Sequence, residues 1–251
     1  MTNNLYIFVL FFIGSVIFAD EPIALLTKLR GKAKYNISSE DKFRSNAQVN
    51  TPIFHGNGIK TKARSFAQIV YLDDRSTVSA YPNTEVNIHG TIENRIISKQ
   101  VDVIVGIVRV KVFNQINSEF KLITPHSELT CHDCDFWVIS DSKIGDSFYQ
   151  ISGNGFVTNP SMIETMELVN NYTIKSLKDT EMEISLTSAI ESKYLKLLMI
   201  DADEDLAKTE EDLAMRSKLK DQSLDTTSNV IEIRLKNALN IERKIILTYS
   251  K

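Results

Sequence analysis

The feature that most constrains this chain is a rhythm. From Leu25 to Val157 short alternating apolar runs follow one another, each stopped by a turn signal, and no long helical period interrupts them before residue 160. Runs at roughly 8 to 12 residue spacing build an all-β sandwich or a coiled solenoid rather than βαβ units. The densest stretch is Gly56 to Ile88, GNGIKTKARSFAQIVYLDDRSTVSAYPNTEVNI. Gly56-Asn57-Gly58 supplies a turn where positive φ is cheap. In Phe66 to Leu72, Ala67, Ile69 and Tyr71 fall on one side and Phe66, Gln68, Val70 and Leu72 on the other. Two mostly apolar faces predict a strand held between layers. Asp73-Asp74-Arg75-Ser76 reverses the chain, Val78 and Ala80 return inward, and Pro82-Asn83 is the next turn before Val86 and Ile88.

The same texture flanks this stretch. Leu29, Gly31, Ala33 and Tyr35 alternate with cations, as in one first strand. Val101 to Val112 is β-branched almost throughout, and its central Gly106 predicts a bulge or a close backbone approach. Phe120 to Ile123 stops at Thr124-Pro125, and two further runs, Leu129 to Ile139 and Ser147 to Val157, complete the β region, with Gly153-Asn154-Gly155 read as a turn.

Taken in order, these landmarks form a set: Gly31-Lys32-Ala33; Gly58 with Thr61, Ser65, Ala67, Ile69, Tyr71 and Ser76; Pro82 with Thr84 and Val86; Gly106 with Val108 and Val110; Thr124-Pro125; and Phe136. The set covers residues 28 to 158 and resembles the FecR-type periplasmic domain, the family of iron-dicitrate sensors and regulators. The resemblance implies a mainly β chain, with a FecR-like antiparallel sandwich or solenoid-like domain over residues 20–178. It also implies an exported, non-enzymatic module for binding, signal relay or scaffolding in the bacterial envelope. Its partner would be an envelope protein or a surface polymer, with no cofactor. Gly58, Thr61, Ser65, Ala67, Ser76, Pro82, Gly106, Thr124, Pro125 and Phe136 are the family-motif structural positions. Two departures stand out. Arg75 replaces a turn glycine, at a cost of about 1 kcal/mol if that position keeps a positive φ. Asp133-Cys134 replaces a Gly-Thr pair.

Met1 to Ala19 reads as a signal peptide, because Leu5 to Phe18 is uncharged and apolar and small Ala19 precedes Asp20-Glu21-Pro22. Export to the periplasm or beyond is therefore expected. The apolar run is shorter than the about 20 residues of a membrane span, so no span is expected after cleavage. The cytoplasmic and transmembrane parts of full FecR regulators are read as lacking. Lys plus Arg and Asp plus Glu balance at 17 and 17 through residue 175 and stand at 12 and 15 beyond it. Without a basic excess, nucleic acid is not an expected partner.

Residues 179–251 are read as a helical tail. No Gly or Pro occurs after Pro160, and Leu195, Leu198, Met199, Ala202, Leu206, Leu213 and Leu219 predict an amphipathic helix from Ser188 to Lys220. In Asn229 to Tyr249 the signals conflict: Ile231, Ile233 and Leu235 alternate like a strand, while Leu235, Leu239 and Glu242 have helical spacing. A second helix returning on the first is the expectation.

The most chemical stretch is Cys131-His132-Asp133-Cys134, holding the only two cysteines. A disulfide, a redox pair and part of a metal site all fit the residue types. A thioredoxin-like pair needs its first Cys at a helix N-terminus, and zinc needs four ligands, whereas His55, His89 and His126 lie far off in sequence. Export favours oxidation, so a Cys131–Cys134 disulfide is the leading reading. A redox or metal-binding protein centred on this stretch is the alternative function. Asp201 to Asp212 imitates a calcium loop but has Leu206 where the sharp turn requires Gly, so it reads as a solvated helix face. Trp137 reads as core. No G-x-S-x-G, P-loop or H-E-x-x-H pattern occurs, and a non-enzyme is expected.

Overall fold

The computed structural model describes residues 21–37, 42–113, 118–202, 230–236 and 242–248. Fifteen strands form one branched sheet, and the chain is mainly β. The run predicted as one first strand breaks at Gly31 into β1 (Ala24–Arg30) and β2 (Ala33–Asn36). These serve different branches: β1 pairs with β4 (Pro52–Ile53) and β6 (Phe66–Tyr71), whereas β2 pairs with β3 (Ser45–Asn46) and β5 (Asn57–Thr61). The alternation is continuous across Gly31, but a φ of 75° there turns the chain from one layer to the other.

After β7 (Thr77–Ala80) and β8 (Glu85–Glu93) comes the longest strand, β9 (Ile96–Val112). Its first half pairs with β8, from Glu93↔Ile96 to Glu85↔Val105. Its second half lies between β7 and β11 (Glu128–Asp141). The changeover falls at Gly106, with φ 117°, where an added Cβ would meet the Thr84 backbone at 2.6 Å. The predicted bulge or close approach is thus both: the strand bends where Thr84 packs against its backbone. Residues of both branches, among them Ile59, Val86 and Ile88 from one and Ala67, Ile69, Val110 and Phe136 from the other, share one buried cluster. Two sheet layers closing on one core make a sandwich. Each fully buried side chain of this size contributes about 1.5–3 kcal/mol.

The second half of the main sheet continues through β10 (Phe120–Ile123), which runs parallel to β9 and antiparallel to β11. β12 (Gly145–Asn159) follows, paired along one side with β11 and along the other with β13 (Glu164–Leu168) and then β14 (Tyr172–Ser176). The Gly153-Asn154-Gly155 segment lies inside β12, not in a turn. β15 (Glu183–Leu186) pairs with β14 and ends the sheet, so the region assigned to a helical tail opens with a strand.

Helix α1 (Ala189–Ala202) starts at the predicted place. Ser188 Oγ and the Glu191 amide lie 3.2 Å apart, and the Ser188 amide donates to Glu191 Oε2 at 3.0 Å, a reciprocal capping box. Leu195 and Leu198 bury against Phe66, Tyr81, Ile107, Trp137 and Tyr149 on the sheet face opposite the main core. The rest of the predicted helix, 203–220, lies outside the described residues. The predicted second helix is corrected: β16 (Val230–Lys236) and β17 (Glu242–Thr248) form a separate antiparallel pair. The two-residue alternation of Ile231, Ile233 and Leu235 prevails over the helical spacing because register sets those positions opposite Leu247, Ile245 and Arg243.

Candidate functional site

The landmark positions singled out in the sequence lie apart along the sheet, and their polar groups hold turns. The Gly58 amide donates to Asn36 Oδ1 at 2.5 Å. Thr61 Oγ1 donates to the Tyr81 carbonyl at 2.5 Å and accepts from the Thr84 amide at 2.9 Å. Ser65 Oγ accepts from the Lys32 amide at 2.9 Å. Ala67 and Phe136 are fully buried, and Pro82 precedes Asn83 at φ 56°. Ser76 donates to Asp74 through both its amide and its hydroxyl, each at 2.8 Å, and its oxygen accepts from the Phe113 amide at 3.1 Å. Arg75 has φ 66°, so the turn adopts the left-handed conformation that favours glycine. Thr124 Oγ1 donates to Asp146 Oδ2 at 2.5 Å and accepts from the Ser127 amide at 2.9 Å, closing the turn around Pro125.

Cys131 and Cys134 are joined by a disulfide, sulfur to sulfur 2.02 Å, with Cα atoms 6.3 Å apart. They sit at a bulge in β11, where the register slips between Cys131 and Asp133. Cys131 faces Gly155 and Cys134 faces Gly153 across β12. A Cβ at Gly153 would collide with the Asp133 carbonyl oxygen and lie 2.7 Å from Cys134 Cα, so the bulge and the glycine require each other. Both cysteines are buried in the main core. His132 points outward, its Nδ1 3.2 Å from the Ser118 carbonyl and its Nε2 3.9 Å from Glu119. Among the described residues no three His, Cys, Asp or Glu side chains are placed to hold a metal. Asp201 lies in the last turn of α1, and residues 203–212 of the calcium-like stretch lie outside the described residues.

Three polar clusters escaped the sequence reading. In the first, the fully buried Lys99 ammonium contacts Asp73 at 2.7 Å and Asp74 at 3.2 Å, tying the β6–β7 turn to β9. Burial works against the Asp74 carboxylate, yet the Ser76 amide and hydroxyl and Lys99 hold it below the usual carboxylate range. Burial, helped by Asp73, Asp74 and Asp102, pushes the Tyr71 phenol far above its ordinary value. Alongside, His89 Nε2 lies 2.9 Å from Asp102, and His55 stacks edge-on against His89 with centroids 5.2 Å apart. Burial opposes the Asp102 charge, but bonds from His89 and Gln100 keep its carboxyl below the usual range. A signal existed: Lys99 has the inward parity of Ile97, Val101 and Val103.

The second cluster centres on Asp146, which is 2 % exposed and accepts from Ser140 at 2.7 Å as well as from Thr124. Burial pushes its carboxyl above the usual range, and these hydroxyls, with the nearby His126 and Ser127, offset only part of that shift. His126, buried on the adjacent turn, has no hydrogen-bond partner for either ring nitrogen among the described residues, nor has Ser176 Oγ. The third cluster lies under α1. Arg109 grips Asp135 with two bonds of 2.9 and 2.8 Å, rests over Trp137 at 5.9 Å and reaches Met199 Sδ at 3.2 Å. Burial would lower the guanidinium's pKa, but Asp135 more than compensates and raises it. Trp137 is core, as expected, but belongs to the helix-covered cluster rather than to the main one.

At its β15 end the sheet has an open edge. Tyr172 pairs with Leu186 and the buried Ile174 with Ile184, so all four share the face that carries the main core inward. At this margin the core face is uncovered: Tyr172 is 39 %, Ile184 46 % and Leu186 68 % exposed. No described strand pairs with the outer side of β15. A free edge beside uncovered apolar side chains is the arrangement on which extended peptides add as a further strand.

No family model matches the chain, and no curated protein matches it. Among solved structures it is similar to two crystal structures of a proposed anti-sigma factor from Parabacteroides distasonis ATCC 8503. The identities are 12% and 14% and the TM-scores 0.48 and 0.47; each likeness covers 77% of this chain and 99% of the other.

Proposed function

We propose that this chain is an exported, non-enzymatic protein-binding module of the bacterial envelope, acting in signal relay or as a scaffold through the open β14–β15 margin. The observation that carries the reading is the join of a free strand edge to Tyr172, Ile184 and Leu186 on one exposed face. The FecR-like landmarks support it from the other side, because their polar groups bond to turns and backbone and leave recognition to the margin. The buried disulfide staples a bulge and has no part in binding.

The test is capture from envelope extract by the wild-type chain and by an Ile184→Lys/Leu186→Lys variant. A specific partner held by the wild type and lost from the folded variant supports the reading. Equal capture by both, or none by either, removes the margin from the function.

A further inference from the structure

Two histidines far apart in the sequence meet beside β8. His55 stands in the turn between β4 and β5, where the Phe54 amide donates to Asn57 Oδ1 at 2.9 Å and the Gly56 amide donates to the Ile88 carbonyl at 2.9 Å. The turn is thereby fixed against β8, next to His89. The two rings approach edge to face, with centroids 5.2 Å apart. His55 is exposed and His89 partly so, which leaves the pair open to solutes.

Each ring has one nitrogen engaged. His55 Nδ1 lies 3.1 Å from the Gly90 carbonyl and 3.3 Å from the Gly90 amide, and His89 Nε2 lies 2.9 Å from Asp102 Oδ2. Asp102 is itself set in place by Gln100, whose Nε2 donates to Oδ1 at 2.9 Å. The shorter His55 contact makes Nδ1 the donor to the carbonyl, and the carboxylate takes the proton of His89 Nε2. The lone pairs then fall on His55 Nε2 and His89 Nδ1, neither of which hydrogen-bonds to a described residue. One ring N–H on a backbone carbonyl and the other on a carboxylate is the outer-shell support of metal-bound imidazoles, fixing the tautomer and raising the basicity of the free nitrogen. Ring stacking alone requires neither bond. With metal–nitrogen bonds of about 2.0–2.1 Å, two imidazoles on one ion have ring centres about 5 Å apart, which matches the separation of this pair.

We propose that His55 and His89 form a binding site for one divalent transition-metal ion, with Cu²⁺ held most tightly and with Asp102 positioning the His89 ring. Imidazole nitrogen suits copper, nickel and zinc, and copper heads the affinity order of the divalent ions. No third His, Cys, Asp or Glu is placed to join them among the described residues, so the ion's remaining positions go to water or to an external ligand. Burial opposes the Asp102 charge, but bonds from His89 and Gln100 preserve it, and it offsets part of the charge of the ion. The site shares no residue with the β14–β15 margin and does not depend on the function proposed for it.

The experiment is calorimetric titration of the exported full chain with Cu²⁺, with pulsed EPR at one equivalent, for the wild type, His55→Ala, His89→Ala, Asp102→Asn and His132→Ala. The wild type is expected to bind one equivalent with couplings from two imidazole nitrogens. His55→Ala and His89→Ala should each lose one coupling and at least tenfold in affinity. Asp102→Asn should keep both couplings while affinity falls about 10- to 100-fold, and His132→Ala, on the exposed histidine of β11, should match the wild type. Because His55 is exposed, its replacement tests the site even if His89→Ala folds poorly. A wild type that takes up no stoichiometric Cu²⁺, His55→Ala binding as tightly as the wild type, or binding lost in His132→Ala overturns the proposal. Asp102→Asn binding at wild-type affinity overturns the positioning role of the carboxylate.

Discussion

The two ends of the main sheet are finished differently. At one end the edge is β4, two residues long with Pro52, which has no amide hydrogen to offer another strand; the branch ends likewise in β3, two residues long. At the other end β15 presents four residues with Ile184 and Leu186 uncovered. The interiors behind these ends differ in the same sense. Near the first, Lys99 matches Asp73 and Asp74, and His89 matches Asp102. Near the second, Asp146 is held by hydroxyls without a bonded cation, and His126 and Ser176 keep unpartnered polar atoms. Buried polar groups that are fully matched make a rigid region, and partly matched ones make a softer region that binding can reorganise. The contrast teaches that the buried polar groups behind the first end are matched, Asn83 Nδ2 excepted, more fully than those behind the second.

The sharpest way to break this comparison is Lys99→Met. It leaves two carboxylates without their buried cation, and unfolding by urea should show a loss of about 3–5 kcal/mol. A loss below about 1 kcal/mol would mean that the first half is not locked as described. Next, Cys131→Ser/Cys134→Ser opens a short covalent loop and should cost about 2 kcal/mol in the same assay. Partner capture should stay unchanged; a change would return the redox reading to contention. In the second half His126→Leu should stabilise, by about 1 kcal/mol, because it removes buried polar atoms without a hydrogen-bond partner among the described residues, a gain reduced by the loss of the imidazole's pull on Asp146. A destabilised variant would place an unseen partner on that imidazole.

The acids then separate the halves by sign. Asp74 is held low in the fold, so its stabilisation is present above its unfolded value and lost as pH falls through the folded one. Asp146 is held high, so once ionised it subtracts stability, and the cost is relieved as pH falls through its raised value. Thermal melts across acid pH should therefore show Asp74→Asn flattening the acid loss of stability. Asp146→Asn should remove a decline that the wild type shows as pH rises out of the carboxylate range. The same sign for both variants would erase the distinction. The smallest effect belongs to the edge: Ile184→Lys should change stability by no more than about 0.5 kcal/mol, since the side chain is already in water, while altering partner capture.

Much of the first half was legible in the sequence. The Gly106 close approach and the alternation of β6 each follow from one local signal whose cause is steric, as does the Thr124-Pro125 turn in the second half. Arg75 shows that a turn can hold a left-handed residue that is not glycine. The break at Gly31 was hidden because the alternation does not change phase where the strand changes layer. Lys99 was overlooked because its acids come from a turn 26 and 25 residues away, although its inward parity was readable. The margin was the least legible. Glu183–Leu186 is a four-residue strand next to a helix, too short for periodicity to identify, and its importance comes from what fails to cover it. The β16–β17 pair misled because its apolar residues satisfy both periods, and only cross-strand register chooses between them.

The most direct test of the open margin is amide hydrogen exchange in the wild-type protein, measured on β15 and, as a control, on β1, which is paired on both sides. The account predicts that the amides of Glu183–Leu186 that face away from β14 exchange fast while those of Ala24–Leu26 are protected. Protection at β15 equal to that at β1 would contradict it.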